Sequence, residues 1–204
     1  MRGQKKEGMS MRFDENNVFH LDQAELIQIF SVAFTRMLER DRDLFDSPNQ
    51  AQERTFMHRF AFELHNLLHL AEDFCDLQGR PILSLDVEYN RDGDSIKRHD
   101  GDWIAPDIIL HQRGSGKTDG VEKYKNDVLV CELKKDDPHE NDDARVRDFV
   151  CARKYMYGIN FYKMTSGVHE FKLYWGETNE NGERICLGPS HWRYEEDRKK
   201  FVQC

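Results

Sequence analysis

The chain has 204 residues, of which 33% are charged and 38% hydrophobic, and its formal net charge at pH 7 is −8. This length suits one soluble domain, and no apolar run reaches the roughly 18 residues that a transmembrane helix needs, so no membrane partner is expected. The negative charge counts against a passive nucleic-acid binder, which normally has a basic face. The five cysteines are odd in number and have no metal-binding spacing, so a reducing cytoplasm is the expected compartment.

Two helices are predicted in the first third of the chain. Residues 20–46 carry apolar side chains at a spacing of three to four, the pattern of an amphipathic helix, and Ser47-Pro48 ends it. Residues 50–76 repeat the pattern and predict a second helix. Before them, residues 1–17 are polar and have no apolar segment, so we expect a disordered tail and no secretory signal.

The pattern then changes to a period of two, which is typical of strands. Five strands are predicted, at residues 82–89, 106–112, 127–134, 158–164 and 170–176. A helix at 141–157 separates the third strand from the fourth, and a short apolar segment follows at 185–187. The polar tail from His191 is expected to be helical or irregular. The order ααβββαββ predicts one α/β domain over residues 18–204, with a small mixed β-sheet flanked by helices.

Charged residues stand at the ends of the second and third predicted strands. Asp107 opens the strand at 106–112, and the strand at 127–134 ends in Glu132, Leu133 and Lys134. Side chains alternate along a strand, so Glu132 and Lys134 are predicted to share a face while Leu133 points into the other layer. Two acids on neighbouring strands beside a lysine can hold a divalent metal next to a proton-handling amine. That combination favours phosphodiester hydrolysis.

Pro106-Asp107 and Glu132-Leu133-Lys134 resemble the motif of the PD-(D/E)xK superfamily of restriction-endonuclease-like nucleases. Further segments are similar to an uncharacterised bacterial group within that superfamily: QERTFMHRFAFEL, LDVEYNR, PDIILHQRG, NDVLVCELKKDD and KYMYGINF. The resemblance spans about residues 50–165. It implies a restriction-endonuclease-like core over about residues 50–176.

The resemblance also implies a metal site. Asp107, Glu132 and the backbone carbonyl of Leu133 would bind Mg²⁺ or Mn²⁺, and Lys134 would orient the attacking water or stabilise the charged transition state. If Glu132 and Lys134 had no such role, they would simply form an ion pair at the end of a strand. Lys135 is expected to face away from Lys134 toward the surface.

Four more residues are candidates for the same site. Glu53 matches a helix-borne glutamate of the family, and Glu88 ends the first strand near Asp107; either could complete the site. Arg91 and Arg147 are weaker candidates for contacts with a substrate phosphate. The alternative for Arg147 is an ion pair with Asp143, one helical turn away. Glu63 is a further, less supported helix acid.

The residues and the resemblance together predict a metal-dependent nuclease that hydrolyses phosphodiester bonds of nucleic acid, with DNA favoured over RNA. The alternative is a binding or regulatory protein that retains the nuclease fold and does not cut. The acidic charge and the lack of a recognisable DNA-reading module support that alternative. A third possibility is cleavage of RNA or of a partner-delivered structure, with a basic helix face supplied by the second chain of a homodimer.

Overall fold

A computed structural model describes most of the chain. The described residues are 19–46, 53–70, 83–88, 98–99, 102–103, 105–111, 127–137, 140–163 and 167–204. The predicted polar tail at 1–17 and the candidate phosphate contact Arg91 lie outside them. No helix within these ranges is long and apolar enough to cross a membrane.

Four α-helices lie in the described ranges: α1 (Gln23–Arg40), α2 (Arg42–Asp46), α3 (Glu53–Leu70) and α4 (Glu140–Cys151). A capping box starts α1, in which the Asp22 side chain accepts from the Glu25 N–H and the Glu25 carboxylate accepts from the Asp22 N–H. The single helix predicted over 20–46 is instead broken at Asp41. The Asp41 carboxylate accepts two hydrogen bonds from Arg59 of α3, and this tertiary contact holds the corner between α1 and α2.

The strands form one large sheet and one short ribbon. Nine strands are described: β1 (Ser84–Val87), β2 (Arg98–His99), β3 (Asp102–Trp103), β4 (Ile108–His111), β5 (Asp127–Leu133), β6 (Tyr157–Tyr162), β7 (Glu170–Thr178), β8 (Arg184–Glu195) and β9 (Lys200–Gln203). Seven of them make a sheet in the order β1-β4-β5-β6-β7-β8-β9, and β2 and β3 pair with each other as a separate two-stranded ribbon. The pair β5–β6 is parallel and the other pairs are antiparallel. The predicted mixed α/β class is therefore confirmed.

Helix α4 makes the crossover between the two parallel strands and packs on one face of the sheet. Val146, Phe149 and Val150 of α4 are fully buried there. The helix approaches β6 so closely that a Cβ atom on Gly158 would stand 2.5 Å from Val146 Cγ1. Glycine at this position therefore lets α4 sit flat on the sheet.

Helices α1 and α3 cover the opposite face with an aromatic core. Phe34 of α1 and Phe60 of α3 are fully buried, and both contact Phe161 of β6, with ring centroids 5.2 and 5.6 Å from it. The rings meet edge to face, an arrangement that adds to the free energy of burying their area. The same core extends to Phe171 of β7 and Phe201 of β9. The long first helix is thereby held against the far half of the sheet.

The C-terminal region differs from its prediction. The tail from His191 was expected to be helical or irregular, but it completes β8 and, after a 3-10 turn at Glu196–Arg198, forms β9. Ser190, Tyr194 and Phe201 turn inward and are buried, while charged residues occupy the outer positions. β8 and β9 pair with strands that are adjacent in the sequence, but the residues that bury their inner face, Ser31 and Phe34, lie far away on α1. The charge-rich outer face therefore hid their period of two.

Helix α4 is also shorter than the predicted 141–157. It ends at Cys151, and the chain then turns so that Tyr155 packs against Phe149 at a centroid distance of 5.6 Å. Arg184 of β8 holds this turn, donating to the carbonyls of Val150 (3.3 Å) and Tyr155 (2.7 Å). The side chain of Arg184 thus donates to the Val150 carbonyl, which the N–H of Lys154 would have bonded in a longer helix.

Candidate active site

The register of β4 and β5 brings the two predicted metal acids together. Ile108 stands opposite Cys131, so the preceding Asp107 comes level with Glu132. The Leu133 N–H donates to Asp107 Oδ2 at 2.7 Å, which ties the end of β5 to the start of β4. Leu133 itself is fully buried in the core on the side of α1 and α3, as the alternation of side chains predicts.

Glu132 is the least compensated charge in the described structure of this site. Its side chain is buried, with only 3% of the residue exposed. Its ion-pair partner among the described residues is Arg145 of α4, whose Nη2 lies 3.6 Å from Glu132 Oε2, a distance too long for a good hydrogen bond. Burial and the negative charge of Asp107 raise the pKa of Glu132 from 4.5 to about 8. A carboxylate in such a position holds a proton at neutral pH unless a cation replaces that proton.

Asp107 shares this environment. Burial raises its pKa above the ordinary value, although the Leu133 N–H and the positive charge of Lys134 act in the opposite direction. The two acids thus repel each other across adjacent strands, and both would gain from a cation placed between them.

Lys134 follows the last residue of β5 and is held by the beginning of α3. Its Nζ donates to Glu53 Oε1 at 3.2 Å, and the Lys135 N–H donates to Glu53 Oε2 at 3.1 Å. Burial alone would lower the pKa of Lys134, but the carboxylates of Glu53, Asp107 and Asp142 outweigh it and raise the pKa. The ammonium group is therefore cationic and donates to one oxygen of Glu53, whose other oxygen accepts from the Lys135 N–H.

Glu132 and Lys134 contact different helices, although the alternation of side chains along a strand predicts that they share a face. Glu132 meets Arg145 of α4, while the Lys134 ammonium meets Glu53 of α3 on the other side of the sheet. The strand ends at Leu133, so Lys134 is released from the alternation and reaches across the sheet end. Lys135, expected only at the surface, takes part through its backbone N–H.

Two residues of this cluster were missed in the sequence. Asp142 and Arg145 lie one helical turn apart near the start of α4; Asp142 is 3% exposed, and Arg145 Nη2 donates to its Oδ1. Burial would lower the pKa of Arg145, but the charges of Glu132 and Asp142 raise it. The available signal was helical spacing, since both residues share a face with the buried Val146 and Phe149.

The backbone of Glu88 lies next to the cluster, but its side chain points away from it. Its N–H donates to the Asp107 carbonyl at 3.0 Å, but its carboxylate pairs with Arg54 of α3 and is exposed. The residue has a φ of 49°, a left-handed conformation that turns the chain at the end of β1. Of the two alternative acids, Glu53 therefore contacts Lys134, whereas the Glu88 carboxylate forms an ion pair with Arg54 outside the cluster.

Other candidates on the helices also lie apart from the carboxylates. Arg147 is exposed and close enough to Tyr174 to affect the pKa of that hydroxyl, on the β7 side of α4. The expected Asp143–Arg147 pair is wrong, because Asp143 accepts instead from Lys172 and from Asn160 Nδ2 at 2.8 Å.

Glu63 is buried in α3 and pairs with Arg40 at 2.8 Å, so it has a structural partner of its own. It does not approach the lysine of the motif, which pairs with the first residue of the same helix.

The charges of the cluster leave room for one divalent cation. Four carboxylates and two cations meet at the end of β5, so that their net charge is −2 when all are ionised: Glu53, Asp107, Glu132, Asp142, Lys134 and Arg145. Within the described ranges no three Asp, Glu, His or Cys side chains form a ready ligand set. Mg²⁺ does not require one, because it is held by one or two carboxylates with waters and substrate oxygens completing its shell. The residues present fit such an ion.

A cavity of about 370 Å³ lies elsewhere, between the C-terminal part of α1, the start of β7 and the end of β8. Thr35 and Tyr194, whose hydroxyls are 2.6 Å apart, belong to its lining together with His169 and Lys199. None of the six residues of the carboxylate cluster lines it. The cavity is therefore a separate feature from the cluster.

Comparisons of the chain with protein-family profiles, with curated proteins and with solved structures find no match. A functional assignment consequently depends on the chemistry of the cluster at the end of β5.

Proposed function

We propose that the chain is a Mg²⁺-dependent nuclease that hydrolyses phosphodiester bonds of nucleic acid, with DNA as the favoured substrate, on a restriction-endonuclease-like core. The observation that carries the proposal is the buried carboxylate of Glu132, whose ion pair with Arg145 is long, at 3.6 Å, and which stands beside Asp107 and Lys134. Burying such a group costs free energy, so its presence calls for a compensating cation.

The topology around the cluster supports the proposed core. Helix α3 leads into three antiparallel strands, β1, β4 and β5, and α4 then crosses to the parallel strand β6. Pro106-Asp107 and Glu132-Leu133-Lys134 stand on the two adjacent strands of this unit. The motif and the strand order thus agree with each other.

Asp107, Glu132 and the Leu133 carbonyl are the groups that would hold Mg²⁺ or Mn²⁺. When bound there, a divalent cation would make a water molecule more acidic and offset negative charge on the phosphate. Leu133 contributes twice, since its N–H fixes the orientation of the Asp107 carboxylate and its buried side chain anchors the strand end. This arrangement presents both carboxylates from rigid strands, which favours a defined ligand geometry.

Lys134 would act on the attacking water or on the charged transition state. Its ammonium group is cationic, because neighbouring carboxylates raise its pKa, and Glu53 holds it from the first turn of α3. Glu53 is therefore a positioning residue in this scheme. A fixed cation at the place where negative charge develops can contribute several kcal/mol to the lowering of the barrier, of the order of 3.

A non-cutting protein that retains this fold is the second candidate. Its support is the tight pairing of Lys134 with Glu53, which would also arise if the lysine were purely structural, together with the net charge of −8. The two candidates differ in what happens when the lysine is removed.

The first experiment incubates the purified protein with supercoiled plasmid, linear duplex, single-stranded DNA and RNA, each with Mg²⁺, Mn²⁺ or EDTA. Lys134→Met should abolish cleavage while retaining the fold and most of the metal binding. Lys163→Met is a matched control, because Lys163 also makes an ion pair with a glutamate, Glu170 at 3.0 Å, but outside the cluster. Unchanged cleavage by Lys134→Met would refute the role of Lys134, and no metal-dependent cleavage of any substrate would favour the non-cutting candidate.

A further inference from the structure

Arg145 has a guanidinium group that its protein partners only partly use. Its Nη2 donates to Asp142 Oδ1 and lies 3.6 Å from Glu132 Oε2, a distance too long for a good hydrogen bond. Its Nε is buried and has no hydrogen-bond acceptor within the described structure. About a third of the side chain, 31%, is still exposed to solvent. Within the described structure, Nη2 therefore has an acceptor and the buried Nε has none.

A purely structural arginine would have a different arrangement. Arginine and a carboxylate usually pair through two parallel hydrogen bonds when both are free to align, and a buried Nε would be among the donors. Asp142 instead holds Arg145 by one nitrogen and leaves the group turned toward Glu132 and solvent. A planar cation that is anchored at one corner and faces a metal-type site has the geometry to receive an anion.

The four carboxylates of the cluster divide into two pairs by what they contact. Glu53 is bound to Lys134, and Asp142 is bound to Arg145. Asp107 and Glu132 have no side-chain hydrogen bond to a cation within the described structure, and they are the pair available to a metal. A cation bound there would take over the charge of Glu132, and the attraction of Arg145 for that carboxylate would weaken.

We propose that Arg145 binds a non-bridging oxygen of the substrate phosphate, on the α4 side of the site, and that Asp142 positions it. This inference rests on the proposed function and assigns the phosphate contact to Arg145 rather than to Arg147, which lies on the β7 side of the same helix. Lys134 approaches from the α3 end of the cluster. The phosphate is thus expected between two cations, each held by its own carboxylate.

The test measures the affinity for a short DNA duplex by fluorescence anisotropy in Ca²⁺, with a gel to check that the duplex remains intact. Arg145→Gln should weaken binding by about tenfold or more, since it removes a charge-assisted contact. It should also reduce the slope of log affinity against log salt concentration by about one, as expected for the loss of one phosphate contact. Arg147→Gln, two residues along the same helix, is the matched control and should change affinity by less than about twofold.

Melting temperature and DNA affinity together separate this role from that of a counter-ion. If Arg145 contacts phosphate, Arg145→Gln loses DNA affinity while it keeps its Mn²⁺ affinity or raises it, because a positive charge beside the ligands is gone. If Arg145 serves only to neutralise Glu132, the variant lowers the melting temperature while its DNA affinity and salt slope match those of Arg147→Gln. That second result would overturn the inference.

Further outcomes keep the two proposals distinguishable. Should Arg145→Gln not fold, Arg145→Lys keeps the charge but not the fork, and a loss of affinity at an unchanged melting temperature supports the phosphate contact; equal affinity refutes it. If the wild-type protein cuts DNA and Arg145→Gln binds DNA as Arg147→Gln does, the role of Arg145 is refuted and the nuclease proposal stands. If DNA binding depends on Arg145 but no metal supports cleavage, the nuclease proposal is refuted and the phosphate contact of Arg145 is supported.

Discussion

Replacing Glu132 with Gln removes one buried ionisable carboxyl group and changes little else. Glutamine has the same shape as glutamate, and its side-chain oxygen can still face Arg145 Nη2 across the 3.6 Å that separates the wild-type groups. The pair between Arg145 and Asp142 does not involve the substituted residue. The variant therefore isolates the effect of a single ionisable group on stability and metal binding.

The expected magnitude follows from the pKa of Glu132, about 8 in the folded protein against an ordinary value of 4.5. Between these values the folded state holds a proton that the unfolded state has lost, so the unfolding free energy of the metal-free protein falls as pH rises. The decline due to one proton is at most about 1.4 kcal/mol per pH unit and ends above the folded pKa. Asp107, whose pKa burial also raises, adds a decline of the same sign at lower pH.

The assay is urea unfolding in EDTA at several pH values from about 5 to about 8.5, for wild type and Glu132→Gln. Titrating groups outside the cluster affect both proteins alike, so the difference between the two curves reports on Glu132 and on its repulsion with Asp107. The variant should be the more stable protein at pH 8, and the difference should shrink by roughly 1 kcal/mol per pH unit toward pH 5. Added Mg²⁺ should stabilise wild type more at pH 8 than at pH 6, because the cation must displace the proton, and should stabilise the variant little.

Parallel stability curves for the two proteins would contradict the burial of an uncompensated carboxyl group at this position. Mg²⁺ stabilisation that is independent of pH, or equal in wild type and variant, would contradict the assignment of Glu132 as a metal ligand. The two readings are separate, so the electrostatic reasoning and the metal assignment can fail independently.

Three further substitutions test the cluster and the core. Glu53→Gln should lower kcat roughly tenfold or more with little change in Mn²⁺ affinity, because Lys134 loses the carboxylate that orients it, and a fall in Mn²⁺ affinity equal to the fall in kcat would contradict a positioning role. Glu88→Gln breaks only the exposed pair with Arg54, so cleavage should be unaltered and urea unfolding should shift by less than about 1 kcal/mol. Phe161→Ala should lower the unfolding free energy by about 3–5 kcal/mol, and a loss below about 1 kcal/mol would mean that the aromatic core is not packed as described.

Local patterns in the sequence were sufficient for the elements that carry the motif. Two short apolar runs separated by a turn-rich segment predicted neighbouring strands around Asp107 and Glu132. Both strands are buried on both faces, so their apolar pattern does not select a register. The structure supplies the register, with Ile108 opposite Cys131, that brings Asp107 level with Glu132. The helical stripes of α1 and α3 were equally readable, because an amphipathic helix repeats its apolar residues within a few positions.

Distant contacts decided what the local patterns left open. Which of Glu53 and Glu88 joins the cluster depends on two such contacts. The left-handed turn at Glu88 directs its side chain to Arg54, and Lys134 extends past the end of β5 to reach Glu53. The role of Asp142 was equally hidden, because a charged residue on a short helix usually faces solvent and only packing against the sheet end buries this one.

The sequence by itself therefore determined the α/β class, the two helices that carry the core, and the two strands that carry Asp107 and Glu132, since all of these follow from apolar patterns over a few residues. The tertiary structure alone decided that β8 and β9 extend the sheet, that Arg145 joins the cluster, and that the pKa of Glu132 rises to about 8. The physical reason is that burial and charge proximity depend on residues far apart in the chain, and no local pattern contains those distances.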